Sequence, residues 1–388
     1  MGDFVVQGTR FFIPRITVGG ELDPPSFQDW STFALEDTFT GVGSTFDNRG
    51  AISNDGARYV VGENITDTAY IRERTGTTWS TLSTITETAG EFARSQTISG
   101  DGSTVAISEG IGLSLGINNY YIYTDADNFT NPVDTIELGR RSNADSSALS
   151  LDGSVFAHGN SADPSDFGNG SSRFFGRIRY NRNVGGSPIT TNVQSGNANN
   201  QRLGFHLDMS DDGLVVVSHK RPNTLVKYRW DGNDFIEDAT VNISGGTGED
   251  SISISGNFVA VSCVVSGGFQ VRIYRIDQNG SLPFVQSIAL TSDTRAGDVS
   301  LAQGGKHLVF GQPLYDGAES NQGRVQIYQA DDIDLATPTY SLVNTIDTPN
   351  PVSSGQYGSV AQMSEDGTRL MVTAPTEDRV YVYRAGSV

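Results

Sequence analysis

Ser53-Asn54-Asp55-Gly56, Ser99-Gly100-Asp101-Gly102, Ser150-Leu151-Asp152-Gly153, Ser210-Asp211-Asp212-Gly213 and Ser364-Glu365-Asp366-Gly367 are five copies of one tetrapeptide, Ser-x-Asp-Gly. Each is followed by a short apolar run. Two degenerate copies, ending at Gly256 and Gly305, fill the gap between the fourth and fifth. From glycine to glycine the intervals are 46, 51, 60, 43, 49 and 62 residues. Seven copies of a strand-forming unit at this period predict one supersecondary unit used seven times, the pattern of a β-propeller.

Each copy divides into four strand candidates. In the second they are residues 95–99, 104–109, 120–124 and 134–138, with the Asp-Gly turn joining the first two. Asp supplies a local hydrogen bond there and Gly a positive φ. The run after the turn is the most apolar (59–62, 155–159, 214–218, 258–262, 307–311, 369–373), as expected of a strand covered on both faces. The next run alternates, as in Val271-Arg272-Ile273-Tyr274-Arg275, Val325-Gln326-Ile327-Tyr328-Gln329 and Val380-Tyr381-Val382-Tyr383-Arg384, which predicts half-buried strands. No helical stripe lasts more than about two turns. The fold class is all-β: a single seven-bladed β-propeller of four-stranded blades.

The chain ends just after residues 380–384, so the last copy lacks its fourth strand. Residues 30–35 (Trp30-Ser31-Thr32-Phe33-Ala34-Leu35) echo residues 79–84 (Trp79-Ser80-Thr81-Leu82-Ser83-Thr84), and both precede a Ser-x-Asp-Gly turn. The N-terminal strand at 30–35 is therefore expected to pair with 380–384, complete the last blade and close the ring, which removes two exposed edges. Residues 26–388 are the propeller. Residues 1–25 form an arm whose Phe4-Val5-Val6, Phe11-Phe12-Ile13-Pro14 and Ile16-Thr17-Val18 are too apolar for a solvated tail. The arm packs either on its own propeller or on a partner by strand addition.

Two stretches carry a resemblance. Residues 355–367 (Gly-Gln-Tyr-Gly-Ser-Val-Ala-Gln-Met-Ser-Glu-Asp-Gly) running into Val372-Thr373-Ala374-Pro375, and Val309-Phe310-Gly311-Gln312-Pro313 followed by residues 321–328, resemble the FG-GAP repeat. Leu203-Gly204-Phe205 and residues 253–262 are weaker copies. The resemblance implies a seven-bladed propeller like the head of integrin α subunits, which binds protein or glycan partners. It also implies that long second-to-third-strand loops and the connections entering each inner strand share one ligand-binding face. Calcium-binding copies carry Asp-x-Asp-x-Asp-Gly or Asp-x-Asn-x-Asp-Gly loops. This chain has no such run, so neither calcium nor any other metal or cofactor is expected.

The net charge is −19 over 388 residues, with 45 glycines. Such acidity disfavours nucleic acid and anionic membranes as partners. Only Lys220, Lys227 and Lys306 are lysines; the other basic residues are Arg. The lone Cys263 lies in an apolar run and reads as a buried thiol. No apolar run reaches 18 residues, so no membrane insertion is expected. The first residues lack a basic start and an apolar core, so no signal peptide is read there. The expectation is cytoplasmic synthesis, with a final location on a virion or outside the cell.

Catalytic motifs are absent. His158, His206, His219 and His307 have no metal-binding spacing, and there is no Gly-x-Ser-x-Gly elbow. The chain is expected not to be an enzyme. Recognition has better support in the long loops at 108–119, 159–174 and 311–323. Asp163, Asp166, Phe167 and Arg173 in one, and Tyr315, Asp316, Glu319 and Asn321 in another, set aromatics beside polar groups, as sugar faces and protein hot spots require. Arg49, Arg94, Arg141, Arg202 and Arg295 precede successive inner strands. They either converge on one channel mouth as an anion cluster or pair with neighbouring blades. The function expected is a binding or structural propeller. The leading form is a phage or virion surface, decoration or adhesion protein, anchored by its arm and displaying loops to a receptor or glycan. The alternatives are an exported bacterial recognition module and a propeller enzyme acting on polysaccharide.

Overall fold

The computed structural model describes residues 28–41, 50–63, 65–87, 92–109, 117–140, 146–160, 176–184, 189–194, 202–220, 223–243, 251–265, 268–277, 280–290 and 297–387. The arm at 1–25 lies outside them. Seven four-stranded antiparallel sheets follow one another along the chain. The first blade has Gly50–Ile52 innermost, then Arg58–Glu63, Thr68–Thr75 and Thr78–Thr86 outermost. The inner strands of the remaining blades are Phe92–Ile98, Ser146–Leu149, Leu207–Met209, Ile252–Ser255, Val299–Ala302 and Ala361–Met363.

Ring closure follows the sequence expectation. Strand Gln28–Thr40 pairs antiparallel with Arg379–Ser387, with Ala34 opposite Arg384 and Leu35 opposite Tyr383. The pairing runs past 30–35 as far as Thr40 opposite Arg379. Trp30 stacks on His307 of blade six with ring centroids 3.8 Å apart. Glu36 takes both Nε and Nη2 of Arg369, at 2.6 and 3.1 Å, a bidentate pair holding the two ends of the chain together.

The repeated turn builds two things at once. Within the blade, Asp Oδ1 accepts from the Ser hydroxyl two residues earlier, at 2.6–2.8 Å in all five full copies. The Ser Oγ accepts in turn from the amide five residues on, at 2.9–3.0 Å. Between blades, the turns are knitted by backbone bonds. Asn54 N donates to Gly100 O, Asp101 N to Leu151 O, Leu151 N to Asp211 O, Gln303 N to Glu365 O, and Asp366 N to Asn54 O. The turn glycine lies where blades touch: Gly153 has φ 68°, and a Cβ there would meet Thr104 Oγ1 of the preceding blade at 2.4 Å.

The second strands are buried along their whole length at Val155–Asn160, His307–Gln312 and Arg369–Ala374, and along most of it in the other blades. Third strands alternate at Arg324–Ala330. In the last blade residues 380–383 are all buried instead. Tyr381 and Tyr383 pack with Val325 and Ile327 of blade six, and Val380 and Val382 with Tyr59 and Val61 of blade one. The alternating sequence there sorts contacts between two neighbouring blades rather than between core and solvent. Cys263 is buried.

A second interlock recurs at two interfaces. Gly159 and Gly311 press on the carbonyls of Gly204 and Gly358 in the next blade, and a Cβ at either would sit under 2 Å from that oxygen. Gly176 and Gly323 make parallel bridges to Leu203 and Tyr357. The weak copy at Leu203-Gly204-Phe205 thus packs as the stronger one at Tyr357-Gly358 does.

Two variants test this architecture. Deleting residues 26–40 is expected to lower the melting temperature of the whole chain in one transition; a truncation that melts unchanged contradicts ring closure. Gly153→Ala is expected to cost about 1–3 kcal/mol in urea unfolding, from its left-handed φ and the contact with Thr104.

Candidate binding site in the central channel

The seven inner strands surround a channel of about 620 Å³ lined by residues from every blade. A strand at the inner edge of a sheet has one side of its backbone unpaired, so its outward N–H and C=O groups must find other partners. The turn fixes which groups these are. In blade one Ser53 N bonds Arg58 O, so the pair beside it, Ile52 and Tyr59, is non-hydrogen-bonded and Ile52 N turns toward the channel.

The equivalent amides of three other blades are taken by side chains of the blade before. Ile254 N donates to Asp208 Oδ2 at 2.7 Å, Leu301 N to Ser253 Oγ at 3.0 Å, and Met363 N to Ser300 Oγ at 3.1 Å. Asp208, Ser253 and Ser300 all stand two residues before the repeated Ser position. A similar bond joins Val299 N to Ser251 Oγ at 3.1 Å. In blades one and three the position holds Ala51 and Ala148, which have no acceptor. Blade seven has Gln362, whose Nε2 turns to Asp298 Oδ2 at 3.0 Å.

The two ends of the channel differ. At the turn end Asn54 Nδ2 reaches across from blade one to Asp211 Oδ1 of blade four, at 3.0 Å. Glu365 accepts from Ser255 Oγ and from Gly304 N, at 2.8 and 2.7 Å. The other end is a mouth formed by Arg94, Phe205, His206, Asp298, Leu314 and Ser359. Burial pushes the carboxyls of Asp208 and Glu365 up to about 7, against the amides that hydrogen-bond them.

The loop residues singled out from sequence fare differently. Asp163, Asp166, Phe167 and Arg173 lie outside the described residues, as do Arg49, Arg141 and Arg295. Tyr315 is half-buried, with the Arg324 guanidinium 3.7 Å from its ring centroid. Asp316 accepts from Asn321 N at 2.7 Å and braces the loop internally, and Asn321 O accepts from Gln356 N and ties it to blade seven. Glu319 is exposed. Pro313 and Leu314 of this loop reach the channel mouth beside Gln356 and Ser359, which lead into the last inner strand. At the sixth and seventh blades a long loop and an inner-strand entry thus meet on one face. Of the arginines, Arg94 lies within its inner strand and lines the channel, whereas Arg202 has φ 43° and is not among the channel residues.

Sequence reasoning missed the channel residues Asp208, Asp298 and Glu365. For Asp208 the available signal was the position two before the repeated Ser, which reads Ala, Thr, Ala, Asp, Ser, Ser, Gln around the ring. Among the described residues no group of three or more His, Cys, Asp or Glu side chains is arranged to hold a metal ion.

The histidines His158 and His307 sit among aromatic rings rather than at the mouth. His158 packs on Phe156 and Tyr120, and burial drives both imidazoles down to about 3. The unfolded chain takes up these protons below about 6.5, the folded chain only near 3. Their contribution to stability is full above 6.5 and is lost as pH falls toward 3. Asp208 and Glu365 act in the opposite sense, because their contribution is lost as pH rises through about 7. Urea midpoints at pH 7.5 and 4.5 are expected to move differently in His158→Phe than in the parent chain: the variant loses less stability, or gains more, on going from 7.5 to 4.5. An unchanged difference in that variant contradicts a buried neutral imidazole.

No family model matches the chain, and no curated protein matches it. Solved structures do. A structure titled the Cps50 (Swd1) β-propeller domain of Myceliophteria thermophila superposes with a TM-score of 0.65 at 10% identity, covering 91% of this chain and 100% of that one. A chain of a structure titled the mitotic checkpoint complex gives 0.61 at 15% identity, covering 95% and 99%. At these identities the likeness is one of fold: the chain is a seven-bladed β-propeller, an architecture compatible with a binding or structural module.

Proposed function

We propose that this chain is a non-enzymatic binding module that works within a larger protein assembly and presents its long-loop face to a protein partner. The difference between the two faces carries this reading. The turn face is knitted by bonds between blades, and the hairpins joining its first and second strands are short. The opposite face carries the described 313–323 loop and the strand ends Glu109, Ile117, Asn160 and Arg177, between which the other long connections run. Long loops on a rigid scaffold are the usual site of recognition. The mitotic checkpoint structure is, by its title, a complex, which supports assembly as a use of this fold.

In the finer reading the assembly is a virion or phage particle. Residues 1–25 are the anchor and the loops face a receptor. The FG-GAP kinship belongs to the same proposal. Its support is the paired glycine interlock at Gly159–Gly204 and Gly311–Gly358, in which Gly204, Gly311 and Gly358 belong to the stretches that carry the resemblance.

Cross-linking of the full chain in its native source, read by mass spectrometry, tests both parts. Intermolecular cross-links are expected on the long-loop face and within residues 1–25, and removing 1–25 is expected to abolish incorporation into the assembly. Cross-links confined to the turn face and outer strands, or incorporation unaffected by the truncation, contradict the proposal.

A further inference from the structure

The channel is chemically lopsided. On the side of blades four to seven, the inner amides of Ile254, Leu301 and Met363 are occupied by Asp208, Ser253 and Ser300. On the side of blades one to three they are not. Ser99 N bonds Thr104 O and Ser150 N bonds Val155 O. By the same pairing parity as at Ile52, the amides and carbonyls of Ile98 and Leu149 therefore point away from their own sheets into the channel. Among the described residues nothing takes the amides of Ile52, Ile98 and Leu149. The sequence explains why for two of the three: the residue that would reach Ile98 N is Ala51, and the one that would reach Ile52 N is Gln362, which turns to Asp298 instead. Three adjacent blades thus leave free donor and acceptor pairs on one wall, facing carboxylates on the other.

We propose that the channel binds a neutral saccharide, one or two sugar rings long, entering from the long-loop mouth. Each ring hydroxyl both donates and accepts. It satisfies a free N–H or C=O of Ile52, Ile98 or Leu149 on one wall and donates to Asp208 or Asp298 on the other. The volume of about 620 Å³ falls within the usual range of small-molecule sites. Phe205 at the mouth offers a ring for a sugar face. Among the described residues, four lining carboxylates, Asp208, Asp211, Asp298 and Glu365, against the single Arg94 disfavour an anion. A simple cation leaves the three amides unpaired. Entry from the turn end is obstructed by the Asn54–Asp211 bridge. This inference goes beyond the partner reading and does not depend on it. A protein partner on the loop face and a saccharide in the channel are separate events.

The test is ligand-observed saturation-transfer NMR on the full chain with glucose, galactose, mannose, N-acetylglucosamine and their dimers, beside glucuronate and glucosamine as charged counterparts. At least one neutral sugar is expected to receive saturation, in preference to the charged pair. Ser359→Trp, which narrows the mouth, is expected to remove the signal. Ala51→Ser, which supplies an acceptor to Ile98 N, is expected to weaken binding about fivefold, the equivalent of one hydrogen bond. Melting curves confirm that each variant folds, and Ala51→Ser alone decides the question if Ser359→Trp does not. Absence of transfer to every neutral sugar, preference for a charged one, or affinity unchanged in the folded variants overturns the proposal. None of these outcomes bears on the cross-linking result.

Discussion

Seven inner strands meet around one axis, and each brings a backbone edge that its own sheet cannot pair. How those edges are satisfied governs the rest of the molecule. The turn beside each edge fixes which amides face inward. It also ties the blade to its neighbour through backbone bonds such as Asn54 N to Gly100 O and Leu151 N to Asp211 O. Asp208, Ser253 and Ser300, two before the repeated Ser position, each reach the next blade's inward amide. Where Ala51 stands there, the amide of Ile98 stays open to the channel. One local motif therefore sets the count of blades, the spacing of the ring and the chemistry of its lumen.

Closure follows the same economy at the rim. An open array would end in two exposed edges. Pairing of Gln28–Thr40 with Arg379–Ser387 removes both, and the Glu36–Arg369 pair with the Trp30–His307 stack fixes the joint. The joint mixes the two ends of the chain in one blade, so early and late residues must be present together before the ring is stable.

Much of this was legible in the sequence. The turn repeat gives the number of blades, and the echo between Trp30 and Trp79 points to the strand that closes the ring, because both signals are local and recur in register. The channel was not legible. Asp208 matters because of Ile254 in the next blade, and no periodicity along one strand reveals which neighbour a side chain reaches. The alternation at 380–383 misled for the same reason, since both faces of that strand meet other blades. In the 311–323 loop, Asp316 and Asn321 have the composition of a ligand site, but their hydrogen bonds brace the loop itself.

The central claim is that the lumen has a satisfied half and an open half. Residue-resolved amide hydrogen exchange under native conditions addresses it most directly. The account predicts slow exchange at Ile254, Leu301 and Met363, whose amides are held by the preceding blade, and exchange faster by orders of magnitude at Ile52, Ile98 and Leu149. Equal protection of the two sets would contradict it.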